Sequence, residues 1–197
     1  SVGVNAGLSQ IEEIRNKLLE FKKTGKKIIA YSEVYSQSSY YLASVANKIY
    51  LNPEGIIELK GFSASIMFYT GLFEKLDIDV QVIRHGKFKS AVEPFTLKKM
   101  SKSNRVQLEL LLNSFADNIM DSIANQRKIN LSEVEKHANE LALESAQTSL
   151  KLKYVDSLLY EDQVYDIVMD VRGTMNVSEI FIDQVPILSY LSSVFAW

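Results

Sequence analysis

Short apolar runs rich in Ile, Val and Tyr alternate along this chain with longer stretches whose apolar residues recur at helical spacing. That order points to an α/β domain. Ser9-Gln10-Ile11-Glu12 has the S-x-x-E form of a capping box; Ile11, Ile14, Leu18 and Phe21 continue at helical intervals, and Gly25 ends the run. Lys22, Lys23, Lys26 and Lys27 flank that end, where the helix dipole favours cations. Residues 27–31 read as a buried strand, followed by a turn around Gln37 and a helix to about Asn47. Residues 48–51 and 56–59 read as two strands separated by the turn Asn52-Pro53-Glu54-Gly55. A helix over residues 65–76 precedes a strand over 80–84. From Lys102 to Arg127 the residues Val106, Leu110, Leu111, Phe115, Ile119 and Ile123 form a helical stripe suited to a core or an oligomer interface. A second capping box, Ser132-Glu133-Val134-Glu135, opens a helix running toward Leu143, and a last helix covers residues 161–171.

Hydrophobic residues make up 47% of the 197 and charged residues 23%, with a formal net charge of −2, so the chain can bury a sizeable core. No linker rich in Gly, Pro or Ser divides it, and it reads as one domain over residues 1–171 with a tail over residues 172–197. Charges of both signs are interspersed, which points away from a nucleic-acid partner. With no cysteine, the chain can form no disulfide, thiol nucleophile or thiolate metal site. His85 and His137 are the only histidines, so no metal and no cofactor is expected. The N-terminus lacks the pattern of a signal peptide and no apolar run reaches about 20 residues, so the chain is expected to be soluble. The strongest apolar stretch, residues 185–197, is too short to span a bilayer and is expected to pack on a neighbour.

The chemistry concentrates in Arg84-His85-Gly86-Lys87-Phe88-Lys89-Ser90-Ala91-Val92-Glu93-Pro94-Phe95, where lysines sit on an apolar turn braced by proline. An ordinary lysine, with a pKa of about 10.4, is protonated at neutral pH and is no base. Burial disfavours the ammonium form and lowers the pKa by several units, to about 5–6 in extreme cases, and the neutral amine then deprotonates a serine. Spacing alone favours the plainer reading of Lys87 and Lys89 as surface lysines. The whole segment, however, resembles the lysine motif of peptidase family S49, the signal peptide peptidase A or protease IV family. That resemblance implies Lys89 as the general base of a serine–lysine dyad.

The likeness continues upstream through AYSEVYSQSSYYLASVAN, residues 30–47, which is similar to the family's strand, turn and Tyr-Tyr-Leu-Ala-Ser helix. Aligned on Tyr40-Tyr41-Leu42-Ala43-Ser44, Gln37 stands where short members have their nucleophilic serine, with Ser38 and Ser39 in place of two glycines. Gln37 and Lys89 lie 52 positions apart, close to the serine-to-lysine separation of short members. Long members carry two related halves in tandem, the amino-terminal half contributing the lysine and the carboxy-terminal half the serine. By resemblance this chain is the lysine half. Ser36, Ser38 and Ser39 remain candidate nucleophiles, although serine at a helix start is ordinarily a cap. Gly3 and Gly7 stand where the family has a glycine-containing loop whose N–H groups can form an oxyanion hole, and a frayed N-terminal loop is the plainer reading. Residues 149–156 are similar to the family's closing motif, and the resemblance covers roughly residues 7–170.

The resemblance implies a Clp-protease/crotonase-like fold of repeated strand-strand-helix units, here lacking the first strands and carrying a long helical segment after the lysine motif. It implies a peptidase acting through an acyl-enzyme on apolar peptides such as released signal peptides. Its partners would be the carboxy-terminal half and further copies in a homo-oligomer. Its place would be the bacterial cell envelope, at the inner membrane through anchoring segments absent here. The alternative is a non-catalytic assembly module whose long helix and apolar tail build the oligomer. Acyl-CoA chemistry, which the crotonase outline also hosts, finds no paired glutamates on suitable motifs here.

Overall fold

A computed structural model describes residues 6–81 and 90–174 of the chain. In chain order the elements are α1 (Leu8–Lys23), β1 (Ile29–Tyr35), α2 (Gln37–Ala43), β2 (Lys48–Ile57) and α3 (Thr70–Lys75). A 3-10 turn (Ser90–Val92) leads into α4 (Glu93–Thr96), α5 (Lys102–Arg127), α6 (Leu131–Asn139), α7 (Ala146–Lys151), β3 (Ser157–Leu158) and α8 (Glu161–Thr174). They fall into two units, residues 1–61 with 119–197 and residues 62–118.

The first unit is α/β, built on a parallel sheet of order β1-β2-β3. Parallel neighbours need a crossover, and α2 supplies it between β1 and β2. Side chains alternate across a strand, so Ile29 and Tyr31 of β1 and Tyr50 of β2 pack with Val164 and Val168 of α8. Ala30, Ile49 and Leu51, on the intervening positions, are also buried. A sheet covered on both faces explains why these strands read as continuous apolar runs.

The two strands expected over 48–51 and 56–59 prove to be one, β2, which ends at Ile57. Ser32 pairs with Leu51 and Val34 with Ile56, so Asn52-Pro53-Glu54-Gly55 stands opposite Glu33 as an irregularity within β2. The Glu54 N–H donates to Asn52 Oδ1 (2.9 Å), an Asx turn that holds the excursion. Gly55 lies so close to β1 that a Cβ there would meet the Glu33 carbonyl oxygen at 2.3 Å and Leu51 Cδ1 at 2.7 Å. β1 itself starts two residues later than expected, after Ile28, whose N–H donates to Asn47 Oδ1 and whose carbonyl accepts from Asn47 and Lys48, and it continues to Tyr35, which pairs with Ile57. The same bonds stop α2 at Ala43, short of Asn47.

Both capping boxes are displaced. Gly7, not Ser9, caps α1: its carbonyl accepts from the Gln10 and Ile11 N–H groups, and its N–H donates to Gln10 Oε1 (2.9 Å). Asn130, not Ser132, caps α6, accepting the Ser132 N–H on its side chain. α6 ends at Asn139 rather than near Leu143, since Leu141 turns left-handed (φ 51°) and the Ala142 N–H returns to the His137 carbonyl. Gly25 ends α1 as expected, with φ 85°.

In the second unit α3 covers only Thr70–Lys75 of the expected helix 65–76. The Tyr69 N–H is taken by the Pro94 carbonyl (2.8 Å), which fixes the helix start there. Residues 80 and 81 are not strand, and the remainder of the strand expected over 80–84 lies outside the described residues. α5 has the bounds expected from its periodicity, and its stripe divides: Ile119 and Ile123 are core, whereas Val106, Leu110 and Leu111 are exposed. Among the described residues no helix is long and apolar enough to cross a membrane.

The crowding at Gly55 predicts that Gly55→Ala destabilises the first unit by about 1–3 kcal/mol, the usual range for an overpacked site. Urea unfolding should show a lower midpoint with an unchanged slope.

Candidate functional site

The β1–α2 corner places Ser36 and Gln37 at the carboxyl end of a parallel strand and the positive end of a helix, where α/β folds hold ligands. Ser36 is the N-cap of α2: its Oγ accepts from the Ser39 N–H (3.3 Å) and lies 3.0 Å from Ser39 Oγ. The Ser39 hydroxyl donates in turn to the Ser36 carbonyl (3.0 Å). Both hydroxyls thus serve the helix start. Gln37 is the first residue of α2, and its Oε1 accepts the Lys60 N–H at 2.9 Å. With the Glu58 N–H donating to the Tyr35 carbonyl (2.8 Å), this lays residues 58–60 alongside the corner. A cavity of about 40 Å³, room for one or two waters, lies against residues 56–60, Leu141 and Glu144.

Aromatic packing sets the corner's position. Tyr40, fully buried, donates its hydroxyl to the Tyr154 carbonyl (2.7 Å) and packs edge-on against Tyr35 with ring centroids 5.8 Å apart. Tyr35 donates to the Tyr50 carbonyl (3.1 Å), and the Tyr154 hydroxyl lies 3.2 Å from His137 Nδ1. Burial is the main cause that pushes both the Tyr40 and the Tyr154 phenols above the usual tyrosine range. At the other end of α2, Arg15 is only 3% exposed. Its guanidinium donates to the Tyr41 carbonyl and Ser44 Oγ (2.8 Å) and lies over the Tyr41 ring at 4.3 Å. Desolvation lowers its pKa, and its cationic head meets the negative end of the helix. The sequence offered one signal for this residue: an arginine in line with the buried Ile11 and Leu18 of α1.

Of the residues singled out from sequence, Gly7 and Gln37 lie within the described structure at the starts of two different helices, and Gly3 and Lys89 lie outside it. The chain just after Lys89 is described. Ser90–Val92 form the 3-10 turn, Pro94 stands in the first turn of α4, and Phe95 stacks on Tyr69 (centroids 5.7 Å) and Phe73 (6.4 Å). Glu93 accepts from Ser101 and Asn104 at the start of α5. That role was not legible in the motif. Among the described residues no group of three His, Asp or Glu side chains is disposed to hold a metal ion.

The model of the family described as peptidase family S49 matches residues 20–174. Protease 4 of Salmonella typhi is 35% identical over 152 residues, covering 74% of this chain and 25% of that protein. The chloroplastic serine protease SPPA of Arabidopsis thaliana is 29% identical over 170 residues, 86% of this chain and 25% of that one. Protease 4 of Haemophilus influenzae is 33% identical over 139 residues, 71% of this chain and 23% of that one. The chain therefore spans about a quarter of the length of these curated relatives.

The buried phenols predict an alkaline loss of stability. Both keep their protons in the folded chain past the pH of about 10 at which an unfolded tyrosine ionises, so the unfolded chain binds fewer protons there and stability falls as pH rises. Urea midpoints followed from about pH 8 to about pH 11 should fall less steeply in Tyr40→Phe. That variant should also lose about 1–3 kcal/mol at neutral pH, where the Tyr154 carbonyl is left without its donor.

Proposed function

The chain belongs to peptidase family S49, and from that premise we propose that it is the lysine-bearing half of a serine–lysine dyad peptidase. The observation that carries this reading is Gln37, an amide with no nucleophilic oxygen, at the helix start where short members have their serine. Its side chain is engaged with the Lys60 N–H, in keeping with a corner built for packing rather than attack. The serine comes from a carboxy-terminal half with the same Clp-protease/crotonase-like outline. The short span of this chain relative to its relatives leaves room for such a half.

In this scheme the serine hydroxyl attacks the scissile carbonyl and passes its proton to the neutral amine of Lys89. The resulting ammonium protonates the departing amine, and a water activated by the same lysine cleaves the acyl-enzyme. The substrates are apolar peptides, released signal peptides among them, held in part by strand addition at a sheet edge. The working location is the cell envelope. A second reading, an assembly module without a catalytic role, draws on the exposed Val106, Leu110 and Leu111 of α5, and Lys89 separates the two.

Lys89→Ala in the full-length protein should reduce cleavage of a fluorogenic apolar peptide ester by about 10²–10⁴-fold, the usual worth of a general base. Undiminished cleavage would leave the assembly reading standing. This chain alone should show no turnover, and should gain it on mixing with the serine-bearing half. Turnover by the isolated chain that disappears in Ser38→Ala or Ser39→Ala would overturn the split dyad.

A further inference from the structure

We propose that the amino-terminal end of the parallel sheet is a docking surface for an anionic phospholipid bilayer, through lysines that the fold gathers there from distant sequence positions. In a parallel sheet every strand begins at the same end, and here the residues leading into the strands are cationic. Lys26 and Lys27 precede β1, and Lys48 opens β2 as the register partner of Ile29. The Ile28 carbonyl accepts from the Lys48 N–H (3.3 Å), which brings Lys27 and Lys48 close together. Lys153 stands shortly before Asp156, whose N–H donates to the Ile49 carbonyl (2.8 Å). The Arg127 guanidinium donates twice to the Lys153 carbonyl (3.0 and 2.7 Å), and Lys128 follows it at the end of α5. Charges interspersed along the sequence are thus assembled at one end of the sheet.

These charges are not neutralised within the chain. Lys26, Lys27, Lys48, Lys128 and Lys153 are exposed, and among the described residues none of them enters an ion pair. Asp156, the carboxylate beside them, is taken by Arg127 (3.2 Å) and the Ile49 N–H (2.8 Å). Lys22 registers the positive potential: its amine donates to the Val45 carbonyl (2.8 Å), and its pKa is lowered by burial and then by the charges of Arg127 and Arg15. Toward the carboxyl ends of β1 and β2 stand Glu33, Glu54 and Glu58, so charge separates along the strands. Neighbouring strands lie about 5 Å apart, inside the screening length of about 10 Å at 0.1 M salt, and the lysines act together. Their chemistry selects headgroups. Lysines are hydrated point charges on flexible stems, and the guanidinium fork of Arg127 is already bonded to Lys153 and Asp156. Phe21 is half-buried beneath the Lys26 amine (5.1 Å) and Tyr154 is fully buried, so these rings neither stack a base nor anchor a protein. A spread of ammonium groups without a pocket matches a bilayer, where each lysine is worth about fivefold in affinity. The Gln37 corner, at the far end of the seven-residue β1, then stands about 20 Å from the headgroups.

The test is sedimentation of the whole chain with vesicles of phosphatidylcholine and phosphatidylglycerol in equal amounts, at low salt. The chain should bind these, leave vesicles of phosphatidylcholine alone unbound, and come off as salt rises to about 0.5 M. The double variant Lys27→Gln/Lys48→Gln should bind about 25-fold more weakly, at about fivefold for each charge removed. Both side chains are exposed, so its urea midpoint should match the parent. Lys60→Gln/Lys136→Gln has the same net charge but leaves this end intact, and should bind within about twofold of the parent. Equal weakening in the two double variants, equal binding to the two kinds of vesicle, or no sedimentation with the mixed vesicles would overturn the proposal. So would binding of duplex DNA that is tighter than vesicle binding and lost in Lys27→Gln/Lys48→Gln, since the surface would then serve a nucleic acid. None of these measurements involves Lys89, so their outcome stands apart from the peptidase reading.

Discussion

The first unit hangs on a buried phenol. Tyr40 sits at the middle of the seven-residue helix α2, and its hydroxyl reaches the Tyr154 carbonyl ahead of β3, so one side chain joins the crossover helix to the far edge of the sheet. So short a helix has little stability of its own and depends on what it buries. Tyr40, Tyr41, Leu42 and Ala43 are all buried, and Arg15 grips the end of the helix through neutral oxygens and the Tyr41 ring. The Gln37 corner holds its geometry because the helix behind it cannot shift without leaving a buried hydroxyl and a buried carbonyl unpaired.

The second unit is braced differently. Around α4 the Phe95 ring stacks on Tyr69 and Phe73, the Tyr69 N–H donates to the Pro94 carbonyl, and the Glu93 carboxylate accepts from Ser101 and Asn104. Stacking tolerates sliding, whereas a carboxylate with three donors does not.

The comparison with sequence expectation divides along the same line. The bounds of α5, the start of α8 and the stop at Gly25 were legible, because periodicity and the αL preference of glycine act locally. Both S-x-x-E patterns misled, since the helices began one or two residues earlier, where Gly7 with Gln10 and Asn130 with Ser132 satisfied the free N–H groups first. The single strand β2 read as two, because pairing with β1 continues past a four-residue excursion that only the partner strand reveals. The early stop of α2 depended on Asn47 reaching Ile28 across 19 positions of sequence.

Sequence by itself determined the α/β class and the family, because these follow from local patterns and from residue identity. Tertiary structure alone decided where Gln37 points its amide, that Arg15 is buried at the end of α2, and that Glu93 holds the cap of α5. Each of those roles is a hydrogen bond between groups 8 to 29 positions apart. A directed bond of that kind exists only once packing has brought donor and acceptor within reach, and no periodicity announces it.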